Sequence, residues 1–131
     1  MKEFSASWIS SKNPRKKRKY LFKAPLHLRR VLASSNLSET LRRKYKRRSF
    51  PVRKGDTVKI VRGQFRKKTG KVQDVNRKKV RVYVDCAFQL KKDGSKSFYP
   101  IHPSNLQITE LNLDDKKRRK ALERNIKNVP S

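Results

Sequence analysis

Apolar and polar positions alternate most clearly where Val80, Val82 and Val84 are interleaved with Arg81, Tyr83 and Asp85. A period of two predicts a half-buried strand. The same pattern predicts a strand over Thr57 to Val61 and another over Lys71 to Val75, with a turn at Asn76-Arg77-Lys78 before the third. Cys86 to Leu90 either extends that third strand or begins the next arm. Asp93-Gly94 is a hairpin turn signal. Ser97 to Ile101 returns, Pro103-Ser104-Asn105 turns, and Leu106 to Ile108 forms a short closing strand. Short strands separated by regular turns predict a mainly β fold, a small SH3-like antiparallel barrel over residues 51–110. Gly55, Gly63 and Gly70 fall at its expected bends.

Ahead of the barrel the period changes, and residues 25–50 predict short helices. Leu26, Leu28 and Leu32 flank Arg29-Arg30 after Pro25. A second helix is expected with Asn36 as N-cap and Glu39 completing a capping box. Leu37, Leu41 and Tyr45 share its apolar face, and Arg42, Arg43, Lys46 and Arg47 cover the rest. Pro51 is expected to stop regular structure before the barrel. Residues 111–131 form a C-terminal helical tail. Asp114-Asp115 suits its N-terminus. With only Ala121, Leu122 and Ile126 apolar, the helix is marginal unless it docks. Residues 1–24 have no apolar period. They predict a basic N-terminal arm that is disordered when alone.

Charge decides what this fold is for. Residues 1–54 hold 18 Lys and Arg against two acids, and residues 55–131 hold 20 against eight. The net charge is +28, so neither half neutralises the other. Nucleic acid suits such a chain best, because each phosphate it neutralises releases a condensed counterion. An anionic membrane surface or an acidic protein are the alternatives. No run of about 18 apolar residues is present, so membrane insertion is not expected. Met1 to Ser5 lacks an apolar signal region. The single Cys86 excludes an internal disulfide and a multi-cysteine zinc site, and points to a reducing compartment.

The chain carries no constellation for catalysis, no cofactor motif and no metal-ligand spacing, so an enzyme and a small-molecule substrate are not expected. His27 and His102 stand far apart. His27 suits ordinary local contacts, with phosphate contact as the alternative. His102 suits either a structural turn or RNA contact, as does its neighbour Ser104. Cys86 suits a buried apolar role.

The cations that point to RNA fall in clusters. The arm offers Lys12, Arg15, Lys16, Lys17, Arg18, Lys19 and Lys23. Such a run also reads as a nuclear import signal. The short helices offer Arg29, Arg30, Arg42, Arg43, Arg47 and Arg48. The loop between the first two barrel strands carries Arg62, Gln64, Phe65, Arg66, Lys67 and Lys68, and the next turn carries Arg77 and Lys78. Phe65 either stacks on a base or lids the barrel core. Trp8, near Phe4 and Ile9, either packs on the barrel or enters an RNA crevice.

Residues 53–72, with a Gly-Asp turn, a strand, a basic loop closed by glycine and a second strand, resemble the KOW motif of ribosomal proteins and transcription elongation factors. The resemblance extends through Ser10-Ser11-Lys12, Ala24 to Arg30, Leu37-Ser38 with Leu41-Arg42, Lys44-Tyr45, Arg47 to Asp56, Ile101 to Leu106 and Ile108-Thr109. Over about residues 8–125 the chain is similar to the large-subunit ribosomal protein 24 family of the universal set, in its archaeal and eukaryotic form, which includes eukaryotic protein 26. One departure is Lys67, near a place where the motif often has glycine; it predicts a different backbone path.

The family resemblance implies a structural constituent of the large ribosomal subunit. It implies binding to the 5′ region of large-subunit ribosomal RNA, neighbouring large-subunit proteins as partners, and a role in assembly near the mouth of the peptide exit tunnel. The Asp93-Gly94 hairpin would then project toward the tunnel rim. The implied location is the cytoplasmic ribosome, with nuclear or nucleolar passage in a eukaryote. Two other classes remain. An elongation factor would pair the barrel with an additional α/β domain, and a chromatin-binding module would need clustered aromatics.

Overall fold

The computed structural model describes residue 4 and residues 11–127, the side chains of Asn125 and Lys127 excepted. Trp8 lies outside the described residues, so its placement stays with the sequence reading.

Helix α1 spans Pro14–Lys23. The basic arm therefore is not without structure. Asn13 accepts the Arg15 N–H at 3.0 Å, and Pro14 opens the helix where its missing N–H costs nothing. Lys and Arg are adequate helix formers. The helix stops at Ala24, ahead of Pro25. Its far end is held from outside: the Arg29 guanidinium donates to the carbonyls of Ala24 (2.8 Å) and Phe22.

Helix α2 (Leu26–Leu32) follows as expected. Asn36 does not cap the next helix. It lies in strand β1 (Ser34–Leu37), paired with Ser49 and with Gln107. Helix α3 (Glu39–Tyr45) begins after Ser38, whose hydroxyl bonds to Thr40 Oγ1 at 3.0 Å instead of capping the backbone. A place between two strands outcompetes one helical turn here, because the strands at Ser49–Pro51 and Leu106–Glu110 both offer Ser34–Leu37 ladder bonds. Leu37 still enters the core together with Tyr45. Pro51 does stop regular structure before the barrel, but as the last residue of a strand. It belongs to β2 (Ser49–Pro51), an edge strand, where a proline without an N–H is tolerated.

The barrel strands are β3 (Thr57–Ile60), β4 (Thr69–Asn76) and β5 (Arg81–Val84). Val80 falls out of the third strand: it has φ 52° and ends the turn. A short hairpin, β6 (Phe88–Leu90) and β7 (Lys96–Phe98), stands apart as its own two-stranded sheet. Cys86 to Leu90 thus leads into the next arm. Ile101 returns to bridge Val82. Pro103–Asn105 makes one 3-10 turn, and β8 (Leu106–Glu110) follows.

The main sheet runs β2-β1-β8-β3-β4-β5. β8 closes back onto the first barrel strand, β3, antiparallel, and also runs parallel to β1, so it sits inside the sheet. The fold is mainly β and barrel-like, with one parallel pair in an otherwise antiparallel ladder. Register shifts at Thr57/Val58 and Val72/Asp74 bend the sheet around its core. Alternate residues point inward, as period two demands: Val58 and Ile60, Val82 and Val84, Leu106 and Ile108 are all buried.

Helix α4 (Lys116–Lys127) docks through Leu122, which is fully buried, and Arg118. Asp56 lies beneath it. Its carboxylate accepts the backbone N–H groups of Arg53 (2.8 Å) and Asn112 (3.0 Å). It also accepts Arg118 Nη1 (2.7 Å) and Nη2 (2.6 Å). Arg118 further donates to the carbonyls of Asn112 and Pro51 and lies over the Phe50 ring. A buried charge is tolerable only with such a full complement of partners.

Candidate nucleic-acid interface

The loop between β3 and β4 faces the segment after β7 across a cleft of about 290 Å³. Arg62, Gln64 and Phe65 come from the loop, Tyr99 and His102 from the segment, and Arg81 from β5. The loop is closed by its own backbone. Lys67 N–H donates to Ile60 O at 2.8 Å, and Ile60 N–H donates to Lys68 O at 2.9 Å. Lys67 itself takes φ 72°, the left-handed conformation that glycine would adopt easily. The departure at this position therefore leaves a lysine in a glycine-like backbone state.

Phe65 takes the core-lid position expected of it and also faces the cleft. It packs against the core, and its ring lines the cleft 5.6 Å from that of Tyr99, tilted by 54°. Lys68 Nζ stands 5.4 Å from the Phe65 centroid. His102 caps the 3-10 turn: its Nδ1 accepts the Ser104 N–H at 3.2 Å and lies 2.8 Å from Ser104 Oγ. Partial burial, then the nearby Arg81 charge, hold the His102 imidazole below its usual range. Its neutral form prevails near pH 7. With Nδ1 accepting, Nε2 carries the proton and is a donor.

A second, more apolar cleft runs between α1 and the β4–β5 turn. Arg18 and Phe22 line one side, and Lys78 and Lys79 the other. Phe22 is 80% exposed. Arg81 and His102 line both clefts, so the two meet there. Arg29 is committed to protein: besides α1 it donates Nη1 to Lys78 O at 2.7 Å, tying the helices to the turn. That leaves two of its five N–H donors.

The other sequence-predicted residues line neither cleft. Lys12, Arg15, Lys16, Lys17, Lys19 and Lys23 are exposed on and around α1, and Arg30 on α2. Arg66, Lys67, Lys68 and Arg77 are exposed on their turns. Arg42 and Arg48 are exposed, Arg43 is ion-paired with Glu39, and Arg47 lies over the Phe50 ring. Ser104 is exposed in the His102 turn, and His27 on α2.

Several cleft residues escaped the sequence reading, Phe22 and Asn105 among them. Arg81 alternates with the buried Val82, which marks it as outward-facing. Lys79 continues the Arg77-Lys78 run. Tyr99 is brought to Phe65 only by the chain's return from the hairpin. Cys86 is half-buried beside Asp85, and burial followed by the Asp85 charge raises its thiol, which makes it a poor nucleophile. Among the described residues no group of His, Cys, Asp and Glu is arranged to hold a metal ion. None of their helices is long and apolar enough to cross a membrane.

The family described as the eukaryotic ribosomal proteins L26 and their archaeal counterparts, numbered 24, matches residues 11–125. The large ribosomal subunit protein uL24 of Methanosphaera stadtmanae is 56% identical over 116 residues, which cover 88% of this chain and 99% of that protein.

Proposed function

Because the chain belongs to the family of eukaryotic ribosomal proteins L26 and their archaeal counterparts, we propose that it binds large-subunit ribosomal RNA through its basic arm and barrel loops. It is a structural ribosomal protein of the large subunit. The observation that carries the RNA reading is the net charge of +28, with cations spread over α1, the β3–β4 loop and the β4–β5 turn. The contacted RNA is the 5′ region of the large-subunit molecule. The protein supports subunit assembly near the exit tunnel, beside other large-subunit proteins. The α1 helix and the β3–β4 loop supply most phosphate contacts, and cleft residues such as Arg62 and His102 add to them.

Binding of the full chain to large-subunit RNA tests this. Affinity should fall steeply with salt, with a log–log slope of about −0.7 to −0.9 per phosphate neutralised. Co-sedimentation with large subunits at moderate salt is the expected outcome. Affinity for RNA that hardly changes with salt would overturn the electrostatic account.

A further inference from the structure

The cleft walled by Phe65 and Tyr99 has a shape that phosphate binding alone does not explain. Phosphates need exposed cations, and α1 and the β3–β4 loop already supply them. This site instead sets two aromatic rings beside Arg62 and Arg81. The rings meet at 54°, so they do not cover one another face to face. Tyr99 remains 45% exposed. Gln64 and Asn105 bring amide groups that both donate and accept, and His102 brings an Nε2 donor. Aromatic faces beside groups able to read a base edge suit a nucleobase. A base inside an RNA duplex cannot enter, because its faces are stacked and the deep major groove admits no side chains.

We propose that this cleft holds a single unpaired nucleobase extruded from structured RNA, stacked on Tyr99 and Phe65, with Arg62 and Arg81 on the flanking phosphates. The second cleft continues the path. It shares Arg81 and His102 with the first and presents Phe22, exposed and flanked by Arg18, Lys78 and Lys79. An unpaired strand leaving the first cleft passes Arg81 and meets an aromatic face framed by cations. Positive charge around both clefts favours RNA over an apolar peptide as the occupant. This inference rests on the reading of the chain as an RNA-binding protein, and it adds which form of RNA the barrel selects.

The test uses the full chain and two probes: a perfectly paired RNA duplex, and the same duplex carrying one bulged 2-aminopurine. The parent should bind the bulged duplex about tenfold more tightly or better, the usual worth of one base–aromatic stack. The 2-aminopurine fluorescence should be quenched on binding. Tyr99→Leu should abolish the preference and the quenching, leave the perfect duplex bound as before, and leave the thermal melt unchanged. Tyr99→Phe keeps the ring and should keep both signals. Arg81→Gln should weaken the bulged duplex more than the perfect one. Equal affinity of the parent for the two duplexes, with no quenching, overturns the inference while the RNA-binding reading stands. Absence of binding to either duplex and to large-subunit RNA would overturn that reading itself.

Discussion

At the Asp56–Arg118 pair both charged groups lie inside the protein, with side chains 0% and 6% exposed. At the cleft, Arg62 is exposed, and Arg81 lines the opening between β5 and the hairpin's return. Arg118 spends its guanidinium on a carboxylate and two backbone carbonyls. Of the cleft arginines, Arg62 is exposed, and Arg81 is half-buried with one N–H on the Val80 carbonyl at 3.2 Å. With 38 cations and ten acids, most positive charge must remain outside the fold's own pairing. The difference teaches that an arginine's role in this chain is set by whether the fold has buried acceptors placed for it, as Asp56 is for Arg118 and backbone carbonyls are for Arg29. Where Asp56 stands, the charge closes the structure and docks α4. Where the fold supplies no such partners, as at the exposed Arg62, the charge is left for an external anion.

Breaking the inner pair should have the largest effect. Arg118→Ala leaves the Asp56 carboxylate buried without its cation, and should cost about 3–5 kcal/mol. Set against a typical total of about 5–15 kcal/mol, that is a large share. A thermal melt should fall sharply, with RNA affinity lost only as the protein unfolds. A parent-like melt would erase the distinction between the two kinds of arginine.

Gly70→Ala probes the barrel wall between the two regions. A Cβ built at Gly70 would collide with Asp85 Oδ1 and lie 3.0 Å from Cys86 Sγ. Overpacking of this kind costs about 1–3 kcal/mol. Denaturant unfolding should show it, and an unchanged midpoint would mean that the Asp85 side chain swings clear at no cost.

Lys67→Gly sharpens the outer half of the comparison. It relieves the left-handed backbone of a non-glycine residue, so stability should rise by about 0.5–1 kcal/mol after glycine's own entropy cost. RNA affinity should nevertheless fall, because a loop cation is lost. A fall in both would show that Lys67 makes a stabilising contact on the loop.

The smallest effect on stability belongs to the loop charges. Arg66→Ala, Lys67→Ala and Lys68→Ala combined should change stability by no more than about 0.5 kcal/mol, since exposed substitutions usually do little. The same protein should bind large-subunit RNA more weakly, with a shallower salt slope. Parent-like binding would move the RNA face to α1 and the clefts.

The sequence by itself determined the barrel strands, since Val58 and Ile60, Val82 and Val84, and Leu106 and Ile108 carry a period that only a one-sided sheet satisfies. It also determined the basic character of the loop and α4's need for a dock, because composition and spacing are local properties. Only the tertiary structure decided that Asn36 pairs in a sheet, that Pro51 ends an edge strand and that β8 lies inside the sheet. Each depends on a neighbour distant in the chain offering hydrogen bonds that a local pattern does not reveal. The same holds for α1, whose far end is held by Arg29, and for Asp56, whose partner Arg118 lies in the last helix. The cleft is the extreme case. Phe65, Arg81 and Tyr99 are ordinary residues in separate segments, and they become one site only when the sheet bends and the hairpin returns the chain across its end.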